Sequence, residues 1–411
     1  MRLLNTQTLK FGEFFDREIP EPYYILSHRW TRDEISYKDF KNGNNLSSIG
    51  YWKVIDFCGL VQERHGASWV WVDTICIDKR SSAELTEAIN SMWNWYWRAE
   101  ICYAYLDDIV GEDVSESQLG RSKWFTRGWT LQELLAPEFV QFLDRHWQPI
   151  GHKAARQSHH EKIGPDLKAL LRNITGIGEH YLNDPWEIHS ASIARRMSWA
   201  SKRTTTREED EAYCLLGLLD VNMPLLYGEG RGAFRRLQEE LIRTSNDQSI
   251  FAFPAVPGHS RGLLARTTAD YQFCGSIELS ISEETASPCT FEMTNRGIRV
   301  QGRIVQCELD IGRFRGRDND DDALWSTISG KVTLQDGREV LRVTGVPLNC
   351  FRMGLNCACI VILAPNYDPH KGTLLLRSNI IHYLGEEERS NLLIEMSHVE
   401  TSAVTTIMVQ A

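Results

Sequence analysis

A chain of 411 residues, 42% hydrophobic and 24% charged, has the make-up of a globular protein long enough for two or three domains. Its formal charge of -10 excludes a nucleic-acid surface spread over the whole molecule, so no nucleic-acid partner is expected. Met1 to Lys10 lacks the continuous apolar stretch of a signal peptide, and the apolar run Cys357 to Ala364 is far too short to span a bilayer, which predicts a cytoplasmic protein with no membrane span. The ten cysteines include no Cys-x-x-Cys pair, which predicts reduced, mostly buried thiols.

From the N-terminus, Tyr23 to Ser27 and Trp69 to Asp73 read as strands. Between them Ser48 can cap a helix carrying Val54, Phe57, Cys58 and Val61 on one side and closing near Gly66, which makes one βαβ unit. Ser81-x-x-Glu84 is a capping-box pattern opening a helix through Leu85, Ala88, Ile89 and Met92, and Ile101 to Leu106 is a third strand. The aromatic run Trp93 to Trp97 reads as a core-facing stripe. Pro137 stops a helix that places Trp129 and Glu133 at i, i+4 spacing, and Phe139 to Leu143 is a further strand. Strands alternating with helices predict an α/β domain over residues 1–150, built on a parallel sheet.

Residues 151–253 read as a helical extension. Thr206-x-x-Glu209 repeats the capping-box pattern before Ala212 to Leu219, and the turn Tyr227 to Gly232 opens a helix with Phe234, Leu237, Leu241 and Ile242 on one side. Residues 254–411 change to β-like runs at Gly297 to Gln301, Ile304 to Glu308, Cys359 to Leu363 and Thr373 to Arg377, with a charged loop at Gly312 to Asp322. That region is expected to be an antiparallel β domain, a sandwich or a barrel. Of 13 tryptophans all but Trp325 lie between Trp30 and Trp199, which marks the same boundary.

In a parallel sheet, ligands bind beyond the carboxyl ends of the strands, so the residues after each strand come first. Strand one ends in Ser27, His28, Arg29 and Trp30, strand two in Asp73 to Lys79, and strand three in Asp107 and Asp108. A cation, an imidazole and several carboxylates on one rim suit a ligand with phosphate and ribose groups: Arg29 for charge, Asp73 or Glu133 for hydroxyls. The bland alternative is that Asp73 and Asp78 cap the following turn and Arg29 pairs with one of them. Carboxylates at strand ends also suit Mg²⁺, but no phosphate loop with a lysine follows strand one, and His159 and His160 lack zinc-ligand spacing; no metal and no cofactor is expected. Gly228 to Gly232 follows a helical region, so a helix-opening turn explains it better than a phosphate cradle. Glu133 lies among Trp129, Leu131, Leu134 and Leu135; burial would raise its pKa and Arg127 would lower it, which leaves its protonation state open.

Four segments carry a resemblance: Tyr24 to Trp30, Trp71 to Asp78, Trp124-Phe-Thr-Arg-Gly-Trp-Thr-Leu-Gln-Glu-Leu-Leu-Ala-Pro137, and Glu209 to Leu219. Their order and spacing resemble the HET domain family, the heterokaryon incompatibility proteins of filamentous fungi, across roughly residues 20–253. The resemblance implies a role in non-self recognition and regulated cell death, with self-association and a protein partner for the C-terminal β domain. HET domains are distantly similar to Toll/interleukin-1 receptor (TIR) domains, which implies a flavodoxin- or TIR-like sheet. Some TIR domains cleave NAD at the nicotinamide–ribose bond with a glutamate in a Trp-Cys-x-x-Glu-Leu stretch. That stretch aligns with Trp129 to Leu134, with Thr130 in place of the cysteine, and implies Glu133 as the catalytic group. NAD then enters as substrate, with Ser27, His28, Arg29, Trp30, Asp73, Asp78 and Trp129 as candidate binding residues. The competing expectation is a non-enzymatic module that signals by self-association.

Overall fold

The computed structural model describes residues 1–111, 114–253 and 263–279, and beyond these the backbone of the strands given below. The described chain divides into two compact units, 1–190 with 202–233 and 191–201 with 234–411.

The first unit opens with a hairpin that the sequence pattern does not announce, β1 (Arg2–Asn5) and β2 (Phe11–Glu13). The alternating elements follow: β3 (Tyr24–His28), α1 (Tyr37–Asn42), α2 (Ile49–His65), β4 (Trp69–Val72), α3 (Asp73–Cys76), α4 (Ser82–Arg98), β5 (Ile101–Tyr105), α5 (Glu116–Leu119), α6 (Thr130–Leu135), β6 (Phe139–Leu143) and β7 (Pro149–Ala154). Ser48 caps α2 by accepting from the Tyr51 amide, and Gly66 ends it in the left-handed region at φ 59°. Ser81 caps α4 in the same way, but the box is not reciprocal: the Glu84 carboxylate turns to Arg2 and to the Asp78 amide. Trp95 and Tyr96 of the aromatic run are buried, with Trp71 edge-on to both.

The sheet is mixed rather than parallel throughout, in the order β2-β1-β4-β3-β5-β6-β7. Its four inner strands are parallel, while β1, β2 and β7 pair antiparallel at the margins. The physical reason lies in the connections. β1 enters before the first crossover helix, and β7 returns directly from β6 through a tight turn that the Asp144 carboxylate closes on the His146 and Gln148 amides. Counting only the parallel strands, the chain runs 2-1-3-4, so the order reverses between β3 and β5. Such a reversal opens a crevice at the carboxyl ends of the two strands.

Helices α7 (Lys168–Thr175) and α8 (Glu179–Asn183) follow in this unit, α9 (Ile193–Ala200) belongs to the second, and α10 (Asp210–Tyr213) and α11 (Leu216–Leu219) return to the first. The expected capping box at Thr206 is absent. Glu209 instead precedes α10 and its carboxylate accepts from the Gly228 and Gly230 amides at 2.7 and 3.1 Å. The glycine turn therefore has its amides filled from within the chain. Packing of α11 on α4 is so close that a Cβ on Gly217 would stand 2.2 Å from Trp93 Cβ.

In the second unit, α12 (Gly232–Thr244) buries Phe234, Leu237, Leu241 and Ile242. Buried Gln238 exchanges two hydrogen bonds with the Ala265 backbone. β8 (Ile277–Leu279), β9 (Thr290–Thr294), β10 (Gly297–Gly302), β11 (Val305–Asp310), β12 (Lys331–Thr333), β13 (Glu339–Arg352), β14 (Cys357–Asp368), β15 (Gly372–Leu384) and β16 (Thr405–Val409) pair antiparallel, except β15 with β16. The loop Gly312 to Asp322 and Trp325 lie outside the described residues. The described cysteines are free and buried, and no helix among the described residues is long and apolar enough to cross a membrane.

Gly217→Ala tests the helix contact. The added methyl must displace Trp93, and overpacking of this kind costs about 1–3 kcal/mol. Urea denaturation is expected to show that loss, and a midpoint equal to the parent's would contradict the packing.

Candidate functional site

The site is built from α6 outward. Gly128 precedes the helix at a place where a Cβ would meet Thr205 at 2.6 Å and Cys214 at 3.0 Å, because the segment around Thr204 runs alongside. The Gly128 amide donates to the Thr204 carbonyl, and the Thr204 amide donates to that of Thr126. Thr130 is fully buried, donating to the Trp124 carbonyl and accepting from Arg203 Nη1 at 2.8 Å. At the other end Pro137 cannot continue the helix, and the buried Lys153 of β7 donates to the Leu134 and Pro137 carbonyls. Burial lowers the Lys153 pKa to about 7.

Between these fixed ends sits Glu133, 7% exposed. Ser27 at the end of β3 donates its hydroxyl to Glu133 Oε2, and accepts at 2.9 Å from Trp124 Nε1. The Tyr96 phenol faces the same carboxylate; burial and then the charge of Glu133 raise its pKa well above the usual value, so it stays a donor. Burial raises the Glu133 pKa to about 7, Asp73 adds to the rise, and Ser27, Arg127 and Arg203 oppose it. Near neutral pH this carboxyl is poised between acid and base, which suits proton transfer or stabilisation of a developing positive charge.

The other rim residues divide. Trp30 Nε1 donates to Asp73 Oδ2 at 2.8 Å, and the Asp73 carboxylate is also 3.9 Å from His28 Nε2. His28 is 3% exposed and neither ring nitrogen is hydrogen-bonded among the described residues. Burial, and then Lys53, lower its pKa and keep it neutral. Ser27 and Asp73 thus act on Glu133, and His28 and Trp30 gather around Asp73. Arg29 is not free for a ligand: it forms a two-pronged ion pair with Asp107, at 2.6 Å from Nη2. That differs from the pairing with Asp73 or Asp78 expected as the bland alternative. Asp78 holds the Arg80 guanidinium at 2.7 Å and also accepts from the Arg80 amide, as the capping alternative expects. Trp129 shares the α6 register of Glu133, yet its side chain hydrogen-bonds to Asp210, which also accepts from Tyr227.

Three contributors escaped the sequence reading. Arg203 arrives from a segment far along the chain, donates to the Arg127 carbonyl and Thr130, and leaves Nη2 buried without a partner among the described residues. Burial lowers its pKa to about 10. Tyr96 and Lys153 read as core and strand residues, and nothing in their neighbours' pattern marks them. A separate cleft of about 470 Å³ opens at the opposite, amino-terminal edge of the parallel strands, between His65, Glu100, His160 and Glu161. No predicted site residue lines it. Among the described residues no group of three potential ligands could hold a metal.

A family model described as heterokaryon incompatibility protein (HET) matches residues 23–115. Over 230 residues the chain is 44% identical to the vegetative incompatibility protein HET-E-1 of Podospora anserina. Residues 23–115 are thus similar to the heterokaryon incompatibility domain. The alignment covers 54% of this chain but 16% of that relative, so the chain spans a small part of the relative's length. The HET match contains Ser27 to Trp30, Asp73 and Asp78, and ends before Glu133. A second model, a domain of unknown function (DUF8212), matches residues 232–278, and no solved structure matches.

The pH dependence of stability follows from the site. In the unfolded chain Glu133 releases its proton near the ordinary value of 4.5, in the folded chain near 7. Between those values the folded state binds more protons, so stability falls as pH rises through the window. Glu133→Gln does not titrate, and is expected to gain on the parent by on the order of 2–3 kcal/mol between about pH 5 and pH 8. Equal pH slopes of the two denaturation midpoints would contradict the buried carboxyl.

Proposed function

We propose that this protein acts in vegetative incompatibility, in fungal non-self recognition and regulated cell death, and that its HET domain does so by cleaving NAD with Glu133 as the catalytic group. The observation that carries the reading is the Glu133 carboxyl, held by Ser27 in the crevice where the strand order reverses and with a pKa near neutrality. The likeness to HET-E-1, whose name states vegetative incompatibility, supports the first half.

The chemistry is that of a glycosidic bond. The C1′–N bond of NAD breaks with its electron pair going to the nicotinamide nitrogen, which neutralises the pyridinium and leaves an oxocarbenium-like ribosyl centre. Ionised Glu133 stabilises that charge and orients the ribose hydroxyls. Water then adds to C1′ and gives up a proton, for which Glu133, poised near neutral pH, is the acceptor. His28, neutral and without a hydrogen-bond partner among the described residues, has donor and acceptor capacity left for a ribose hydroxyl.

A second reading has its own observation. Ile49 and Trp52, one turn apart on α2, are 70% and 55% exposed beside the exposed Leu46, an apolar surface of the kind self-association uses. In that reading the HET domain signals without turnover, in the cytoplasm, while residues 254–411, as a β sandwich or barrel, bind a protein partner.

Nicotinamide release from NAD by the full chain at high protein concentration decides between them. The enzyme reading expects release by the parent and loss of at least about 100-fold in Glu133→Gln with an unchanged fold, the scale on which a charge-stabilising group acts. Equal or absent release in both, with self-association intact, favours the second.

A further inference from the structure

The ion pairs around the crevice leave Arg127 without a direct acidic partner among the described residues. Arg29 and Asp107 neutralise one another at 2.6 Å, and Glu34 lies between His28, 3.6 Å from one oxygen, and Lys53, 2.5 Å from the other; His28 and then Lys53 shift the Glu34 carboxyl well below its usual range despite burial. Asp73 is shared between the Trp30 indole N–H and Lys79 Nζ at 3.7 Å. Arg127 is left. Its guanidinium lies 5.2 Å from the centre of the Trp30 ring and has no ion pair or hydrogen bond to an acid among the described residues.

Lys79 Nζ lies over the same ring, 3.2 Å from its centre. Trp30 is therefore a scaffold on which two cations rest, Lys79 paired with Asp73 and Arg127 acting through space on Glu133 and Asp210 without a direct ion pair. Both side chains reach solvent, and the Arg127 backbone is fixed by Arg203 and by its bridge to Thr204. Arg127 and Lys79 can stand no further apart than their two distances to the ring combined, a span that one diphosphate covers with a hydrogen bond at each end. In a chain of net charge -10, this is a local cationic point beside Glu133.

We propose that Arg127 and Lys79, held on Trp30, form the anion subsite of the crevice and take the diphosphate of a dinucleotide substrate, in place of Arg29. The assignment of a dinucleotide rests on the reading of Glu133 as an NAD-cleaving group; the anion site itself does not. The diphosphate is gripped on the Trp30 side, which leaves the ribosyl end to reach toward Glu133. Arg127 contributes a flat, two-pronged donor and Lys79 a point charge.

Calorimetric titration of the full chain with inorganic diphosphate at low ionic strength tests the subsite directly. The parent is expected to bind, with affinity falling as salt is raised, and Arg127→Gln and Lys79→Gln are each expected to weaken binding at least about tenfold, the scale of a charge-assisted contact. Glu133→Gln is expected to retain binding. Both cationic variants are checked for parent-like melting, since each side chain reaches solvent and its removal leaves the core intact. Absence of binding in the parent, or binding that neither variant weakens, overturns the subsite. Loss in Arg29→Gln but not in Arg127→Gln or Lys79→Gln returns the anion to Arg29 and overturns it equally. With NAD as the ligand the two proposals separate. Diphosphate binding lost in Arg127→Gln while the parent releases no nicotinamide upholds the subsite and removes the enzyme. A Michaelis constant for NAD unchanged in Arg127→Gln, while Glu133→Gln abolishes turnover, upholds the enzyme and removes the subsite.

Discussion

Holding one carboxyl group out of water at the point where the strand order reverses is the constraint to which the neighbouring structure answers. Glu133 is buried, and a buried carboxyl without partners is strongly disfavoured. The chain Trp124 to Ser27 to Glu133 supplies one partner and Tyr96 faces the group from α4. That arrangement requires α6 to stay where it is, which explains the care spent on a six-residue helix: Gly128 and Thr130 locked to the Thr204 segment at its start, Lys153 on its last carbonyls at its end. A helix of that length has no stability of its own, so tertiary contacts must supply it.

Electrostatically the same crevice is built by elimination. Potential charges pair off in twos, Arg29 with Asp107 and Lys53 with Glu34, and those pairs rigidify without presenting charge. His28 is left neutral and Glu133 near its midpoint, while Arg127 stays charged on the indole of Trp30. A polar rim therefore does not mean that every member meets a ligand. Arg29 and Asp78, the most prominent by sequence position, are engaged by their neighbours, and the residues left over are the ones with chemical capacity.

How much of this was legible follows from the range of each interaction. The four parallel strands and helices α2 and α4 follow from apolar periodicity and from Ser48, Gly66 and Ser81, because those signals are local. The hairpin β1–β2 is short, and β7, though six residues long, carries Gly151, His152 and Lys153 in place of an apolar run, so the sheet read as parallel when it is mixed. At Thr206 the capping-box spacing is present, but the Glu209 carboxylate is drawn to the glycine turn nineteen residues ahead, a tertiary contact that no local pattern encodes. Glu133 was visible through its neighbours. Arg203, seventy-three residues from its partner Thr130, was not, since an isolated arginine in a polar stretch carries no sign of burial.

The titration of Glu133 itself tests the account most directly. Carboxyl-carbon NMR of the full chain labelled at glutamate, with the Glu133 signal assigned by its absence in Glu133→Gln, reads the protonation of this group without reference to any activity. The account predicts a midpoint near 7, set by burial between Ser27 and Tyr96. A midpoint at the ordinary carboxylate value near 4.5 would mean a solvated group, and would contradict the site as described.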